Sequence, residues 1–318
     1  MLGPLSLLRR SKILARAGVL GINRRNADYT LIYNDRKHYP LVDDKYQTKL
    51  LARTAGIEVP ELYEMVETER QTCCIHDKLT SRTDFVVKPA RGSGGDGIIV
   101  ITGRRKQTYR KISGQLLSHE QLTHHLSNIL SGMYSLGGHP DKALIEYRVR
   151  FDPIFNDISY LGVPDIRIIV FLGVPVMAMV RLPTQMSDGK ANLHQGAIGV
   201  GVSIASGRTT YAVWHNTTIT EHPDTGAEVN GIQLPRWDHL LEIAARCYEL
   251  TGLGYLGVDI VLDRDLGPLM LELNARPGLN IQIANRQGLN LRLEQVKKVS
   301  PGLPQPAQRI QYAREHFI

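Results

Sequence analysis

The sequence predicts an α+β fold, and three observations predict it. Apolar, β-branched runs follow one another across short turns, as the strands of hairpins do. Two other segments repeat their apolar residues at helical spacing instead. The third is composition: 318 residues, 42% hydrophobic and 22% charged, are ordinary globular stock with ample core for one large domain or two lobes.

The elements follow in order. A short strand is expected at Tyr29 to Tyr33, then a helix opening at Asp43-Asp44, running through Lys45, Lys49 and Ala52, and stopping at Gly56. The Val59-Pro60 step begins an extended segment, and residues 68–82 are polar and loop-like. Strands are expected at Asp84 to Val87 and Ile98 to Thr102, with a helix from Ser118 to Tyr134 carrying Leu122, Leu126, Ile129 and Leu130 on one face. Ala143 to Val149 is a strand. Asp165 to Phe171 and Pro175 to Leu182 form a hairpin at Leu172-Gly173. A second amphipathic helix covers Pro235 to Leu250, and Gly257 to Leu262 pairs with Leu269 to Leu273. The tail after Val299 contains prolines and then a terminal helix.

Several classes are excluded. No run approaches the roughly 18–20 apolar residues of a membrane-spanning helix. Three cysteines, two of them the adjacent Cys73 and Cys74, cannot build a disulfide framework, so a reducing, cytoplasmic setting is expected. A channel, a secreted mini-scaffold and a repeat array do not fit.

The net charge is +7, unevenly spread. From Met1 to Ala27 there is no acid, while Arg9, Arg10, Lys12, Arg16, Arg24 and Arg25 are basic. Leu5, Leu8, Ile13, Leu14 and Ala17 can share one helical face. The expectation is a basic amphipathic helix docked on its own protein. Peripheral contact with an anionic membrane is the alternative, and nucleic acid is not expected as a partner.

Chemistry concentrates in two places. Gly92-Ser93-Gly94-Gly95-Asp96-Gly97 matches a dinucleotide fingerprint in letters only. That fingerprint needs a helix after the loop, and here Ile98-Ile99-Val100-Ile101 follows. The loop therefore reads as a flexible hairpin whose backbone N–H groups can wrap phosphate oxygens. Lys88 ends the preceding strand and Lys45 opens the earlier helix; either can neutralise a phosphate, though a lone lysine is ordinarily a solvated one.

The acidic set is the strongest feature. Asp259 lies in one apolar strand, with Glu272 and Asn274 on the next. Strand period puts Glu272 and Asn274 on one face, and hairpin pairing brings Asp259 beside them. Acids inside apolar strands are costly unless paired or metal-bound. Oxygen ligands without His or thiolate suit Mg²⁺, with Mn²⁺ as its substitute. The plainer alternative is a salt-bridged edge with Arg276 or Arg167. Cys73-Cys74 with His76 lacks a second pair for zinc, so these are expected to be loop residues.

The order of these parts resembles the ATP-grasp superfamily, most nearly its ribosomal-protein glutamate ligases and α-L-glutamate ligase-like proteins. The matching stretches are Asp44-Lys45 with Leu50-Leu51-Ala52; Val86-Val87-Lys88-Pro89 and the glycine loop; Ile145-Glu146-Tyr147; Asp165-Ile166-Arg167; Asn192-Leu193-His194; and Glu272-Leu273-Asn274 ahead of Pro277-Gly278. They run in order over about residues 42–285. The resemblance implies a basic extension (1–41), an N-terminal lobe with the glycine loop (42–148) and a C-terminal lobe with the metal site (149–318), with ATP between the lobes.

By the same resemblance Lys45, Lys88, Gly92, Ser93, Gly94, Gly95 and Gly97 would meet the phosphates. Glu146, Tyr147, Arg148 and Val149 would meet adenine, and Asp152 the ribose. Asp259, Glu272 and Asn274 would hold Mg²⁺. Arg167, Arg181, Lys190 and Asn192 would line the phosphate and acceptor side. The implied reaction is carboxylate–amine ligation through an acylphosphate, adding an amino acid such as glutamate to a peptide or small acceptor. A phosphotransferase and a non-catalytic ATP-binding scaffold at a membrane are the alternatives.

The chain departs from the pattern in three places. Only about forty residues precede Lys45, the span from Arg150 to Pro164 is longer than the glutamate-ligase turn, and Gly257-Val258 precede Asp259 where some members carry an arginine. Arg167 or Arg181 would have to serve instead.

Overall fold

Long uninterrupted apolar runs dictate the larger sheet. In an antiparallel sheet with one wet face, apolar and polar residues alternate; a strand covered on both faces has no reason to. Ile166 to Phe171 and Val174 to Val180 are buried at every position, as are all residues of Tyr255–Asp263. The computed structural model, which describes residues 12–92, 94–135 and 137–317, shows two compact units. One is Asp43–Arg150; the other joins the described residues of Met1–Val42 to those of Phe151–Ile318.

The Asp43–Arg150 unit carries a six-stranded antiparallel sheet. Its strands are β1 (Leu62–Val66), β2 (Phe85–Pro89), β3 (Ile99–Arg105), β4 (Thr108–Lys111), β5 (Leu116–Ser118) and β6 (Ala143–Glu146), ordered β1-β6-β2-β3-β4-β5. The helix His119–Leu130 lays Leu122, Leu126, Ile129 and Leu130 into a core shared with Phe85, Ile101 and Tyr109. Each such fully buried leucine contributes roughly 2 kcal/mol. Ser118 caps the helix: its hydroxyl accepts from the Gln121 N–H, and the Gln121 amide oxygen accepts from the Ser118 N–H at 2.8 Å. Residues 68–82, expected as loop, hold two short helices, Glu69–Cys73 and Ile75–Lys78. A Thr68/Gln71 capping box starts the first. His76 is not a loop residue: its ring meets the Tyr109 hydroxyl at 2.9 Å and Thr123 Oγ1 at 3.1 Å, and stacks on His119.

The second unit carries seven antiparallel strands: β7 (Asp165–Phe171), β8 (Val174–Leu182), β9 (Ile198–Val202), β10 (Thr209–Trp214), β11 (Thr217–Ile219), β12 (Tyr255–Asp263) and β13 (Gly267–Asn274). Their order is β11-β10-β9-β8-β7-β12-β13. Its helices include Trp237–Thr251, Leu289–Val299 and Pro306–His316.

The strand expected at Tyr29 to Tyr33 is helical. Arg25–Thr30 is a π-helical turn and Leu31–Tyr33 continues it as α-helix. Tertiary hydrogen bonds override the strand propensity of Tyr-Thr-Leu-Ile-Tyr: the Tyr29 hydroxyl bonds Asn290 and Glu294, and Arg25 Nη1 donates to the Pro277 carbonyl at 2.7 Å. The expected docking of a basic helix does not hold over its described residues. Leu5, Leu8, Arg9 and Arg10 lie outside the described residues; over 12–17 every residue is exposed, Ile13 and Leu14 included. Among the described residues the chain docks at Ala17 and Gly18, which lie against Gly288, and the Gly18 carbonyl accepts from the Asn290 N–H. Among the described residues, no helix is long and apolar enough to cross a membrane.

Candidate functional site

Two polar clusters stand out, one in each unit. In the Asp43–Arg150 unit, β2 delivers Lys88 into the interior, where 6% of it is exposed. Its ammonium pairs with Glu146, the last residue of neighbouring β6. Lys49, one turn along the helix Lys45–Thr54 from Lys45, pairs with the other Glu146 oxygen at 2.8 Å and donates to the Pro60 carbonyl. Two buried ammonium groups thus share one buried carboxylate. Burial lowers Lys49 to about 8, with Glu146 pulling the other way. Burial raises Glu146, and the two lysines outweigh it, holding the carboxyl below its ordinary range. The cluster carries one cation more than it has anions, a charge balance suited to an incoming phosphate.

Lys45 starts its helix directly after the cap, where Asp44 Oδ1 accepts from the Tyr46 and Gln47 N–H groups. Its ammonium donates to the Gly92 carbonyl at 2.6 Å and its N–H to the Ala90 carbonyl, so the helix start and the root of the glycine loop are one piece. The loop joins antiparallel β2 and β3, as a hairpin should. Gly94, Gly95 and Gly97 all take positive φ, which explains why one glycine would not suffice. A Cβ on Gly97 would fall 2.6 Å from the Tyr134 ring, and the Gly97 carbonyl accepts from His125 Nε2. Ser93 lies outside the described residues. Tyr147 N–H bonds the Glu61 carbonyl, Arg148 pairs with Asp84 at 3.0 Å, and Val149 is buried.

The second cluster is written in strand register. Arg181 on β8 stands opposite Asp165 on β7, Arg167 on β7 opposite Asp259 on β12, and Asp259 opposite Glu272 on β13. Residues two apart share a face, so Asp165 with Arg167, and Glu272 with Asn274, line one side of four adjacent strands. Arg167 donates Nε to Asp259 Oδ1 at 2.7 Å and Nη2 to Oδ2. Arg181 forks onto both Asp165 oxygens and reaches Asp259 Oδ2 at 2.8 Å. Asn274 Nδ2 donates to Asp259 at 3.2 Å and to Glu272 at 3.5 Å. The pairing sets the Asp259 and Glu272 carboxyls side by side on neighbouring strands, with the Asn274 amide donating to both.

Environment splits the acids. Burial pushes Asp259 up, but Arg167 and Arg181 together hold it far below the usual carboxylate range. Burial pushes Asp165 up to about 6 against the pull of Arg181, with the Asp259 charge adding to the rise. Burial would lower Arg181, and its two acid partners raise it instead.

The ion-pair alternative therefore holds in part: Arg167 does pair with Asp259. Arg276 does not join; it lies over the Tyr39 ring. Gly257, where an arginine was a possibility by resemblance, faces Pro277, and a Cβ there would fall 2.7 Å from the proline ring. Lys190 and Asn192 sit outside the ladder, on the β8–β9 loop, where Asn192 Oδ1 accepts from the His194 N–H. Asp152 caps a 3₁₀ turn by accepting from the Ile154 N–H. A pocket of about 220 Å³ in the same unit is lined by Leu193, His194, Val213, His215 and Asn280, among others. Lys49 was named in the sequence only as a helix residue, and its spacing from Lys45 is the one signal of its role.

Two oxygen-bearing acids and an amide suit a hard divalent ion, and their convergence from paired strands is the observation that fits one. Among the described residues, no three His, Cys, Asp or Glu side chains gather as a metal site, zinc included.

Residues 24–298 match the family described as sugar-transfer associated ATP-grasp. No curated protein matches the chain. Among solved structures, the ATP-grasp ligase PsnB complexed with a minimal precursor is similar at 17% identity over 84% of this chain and 62% of that one, with a TM-score of 0.44. The chain thus spans less than two thirds of PsnB. D-alanine–D-alanine ligase from Bacillus anthracis is similar at 16% identity, 83% of this chain and 69% of that one, with a TM-score of 0.46. D-cycloserine synthetase DcsG gives 16% identity, 82% and 71% coverage, and a TM-score of 0.46.

Proposed function

The chain belongs to the sugar-transfer associated ATP-grasp family, and from that membership we propose that it is an ATP- and Mg²⁺-dependent carboxylate–amine ligase. Its fold is the α+β ATP-grasp fold, with two antiparallel sheets and helices. The observation that carries the proposal is the register that lines up Asp259, Glu272 and Asn274 on one face, backed by Arg167 and Arg181.

In this reading Lys88 and Lys45 neutralise phosphate oxygens, and the N–H groups of the glycine loop wrap the terminal phosphate. Glu146-Tyr147-Arg148-Val149 presents backbone groups to adenine, and Asp152 serves the ribose. Asp259, Glu272 and Asn274 would hold the ion, which when bound would offset the charge of the phosphates. Arg167 and Arg181 fix the Asp259 carboxylate in one orientation. Lys190 and Asn192 serve the acceptor side.

Chemically, a substrate carboxylate attacks the γ-phosphorus and ADP leaves. An amine then attacks the acylphosphate carbon, phosphate departs, and the nitrogen loses a proton. Protein groups contribute position and charge neutralisation, the main resources for phosphoryl transfer. The donor is an amino acid such as glutamate. The acceptor is a peptide or small amine, and the family's association with sugar transfer makes a sugar-borne amine the first to test.

The test is a screen of amino acids, peptides and amino sugars with the purified protein and MgATP, reading product mass and phosphate release. Release that depends on an added amine, with a matching mass gain, is expected. Phosphate appearing on the acceptor would mark a phosphotransferase and overturn the ligase reading.

A further inference from the structure

The helical segment Ile22–Tyr33 is amphipathic the wrong way round. It buries Arg25, Tyr29 and Thr30, while Ile22, Leu31 and Ile32 are each more than 60% exposed. Arg24, Ala27 and Leu31 recur about once per turn on the outward side. The helical stretch 12–16 adds Ile13 and Leu14, both more than half exposed, with Lys12 and Arg16 beside them.

The segment cannot simply turn over to hide these groups. Gln282 clamps Leu20, accepting from its N–H at 2.8 Å and donating to its carbonyl at 3.0 Å. Arg25 is tied to the Pro277 carbonyl, and the Tyr29 hydroxyl to Asn290 and Glu294. A polar side is thus anchored inward and an aliphatic side is held outward, against the usual sorting of residues.

We propose that this face seats the protein on an anionic lipid surface, the aliphatic side chains entering the boundary between headgroups and acyl chains and the cations meeting lipid phosphates and carboxylates. Charge complementarity selects that occupant. From Met1 to Ala27 the sequence carries no acid, and Arg9 and Arg10 extend the basic run of Lys12, Arg16 and Arg24. Asp28, the first acid, is paired with Arg24 at 3.0 Å. Nucleic acid would be met by cations with aromatic rings for stacking, whereas the exposed residues here are branched aliphatics. This inference does not depend on the ligase reading.

The test uses the full chain and sedimentation with vesicles of phosphatidylcholine alone or mixed with phosphatidylserine. Binding is expected only to the mixed vesicles, weakening with added salt. Lys12→Glu with Arg16→Glu should weaken it roughly tenfold or more, since each cation near such a surface counts. Leu31→Asp with Ile32→Asp should weaken it comparably through the aliphatic side. Circular dichroism and ATP binding should be unchanged in both variants, since all four side chains are exposed. Equal sedimentation with both vesicle types, or binding untouched by either double variant, overturns the proposal. So does a face found instead to bind RNA or a second copy of the chain.

Discussion

Arg167 and Asp259 face each other across antiparallel β7 and β12 and meet fork to fork, with Asp259 only 1% exposed. A buried carboxylate relies on its partners, and removing one strands the charge. Arg167→Met should therefore cost about 3 kcal/mol of stability in urea denaturation, even though Arg181 still reaches Asp259. A loss below about 0.5 kcal/mol would show that Arg181 alone suffices.

Glu272 is in a different position, half-buried at the margin of the same ladder. Glu272→Ala should leave the thermal midpoint within a few degrees of wild type and abolish ATP turnover. Unchanged hydrolysis would remove Glu272 from the metal set.

Lys88 should behave as a phosphate contact. Lys88→Ala is expected to weaken ATP binding by roughly ten- to a hundredfold in calorimetry, the worth of one charged hydrogen bond. Lys49→Met should also weaken it, because Lys88 would then be neutralised by an unshared Glu146. Unaltered affinity in Lys88→Ala would refute the contact.

His76 sets an acid limit on stability. Burial lowers its ring from 6.5 to about 4, with the neighbouring His119 adding to the fall. The unfolded chain binds this proton first, so stability should decline as pH falls from 6.5 towards about 4 and level off below that. The contribution is roughly 1–3 kcal/mol after allowing for partial exposure. His76→Gln should flatten this part of the stability–pH curve; a variant with the wild-type slope would exonerate the histidine.

Much of the fold was legible. The runs around Ile166, Val176 and Val258 read as strands because both faces are covered, and the helix bearing Leu122 to Leu130 read from its period. Strand β9 went unread because Gly199 and Gly201 interrupt the pattern. Those glycines serve close approach: a Cβ on Gly201 would fall 2.5 Å from the Ala284 carbonyl oxygen. Spacing alone brings Asp259, Glu272 and Asn274 together, whereas the bond from Arg167 to Asp259 joins residues 92 apart and gives no local signal. Lys49 escaped because a lysine in a helix ordinarily points to water. The helix at Tyr29 escaped because its deciding bonds come from Asn290 and Glu294, far along the chain.

The unit that holds Asp259 is split in sequence, its opening stretch parted from the remainder by the whole of Asp43–Arg150. During synthesis the inserted unit emerges complete while its host still lacks every strand of its sheet. Nascent chains halted shortly after Arg150 clears the ribosome should hold one protease-resistant core, with the Leu20 clamp waiting for Gln282 to be translated.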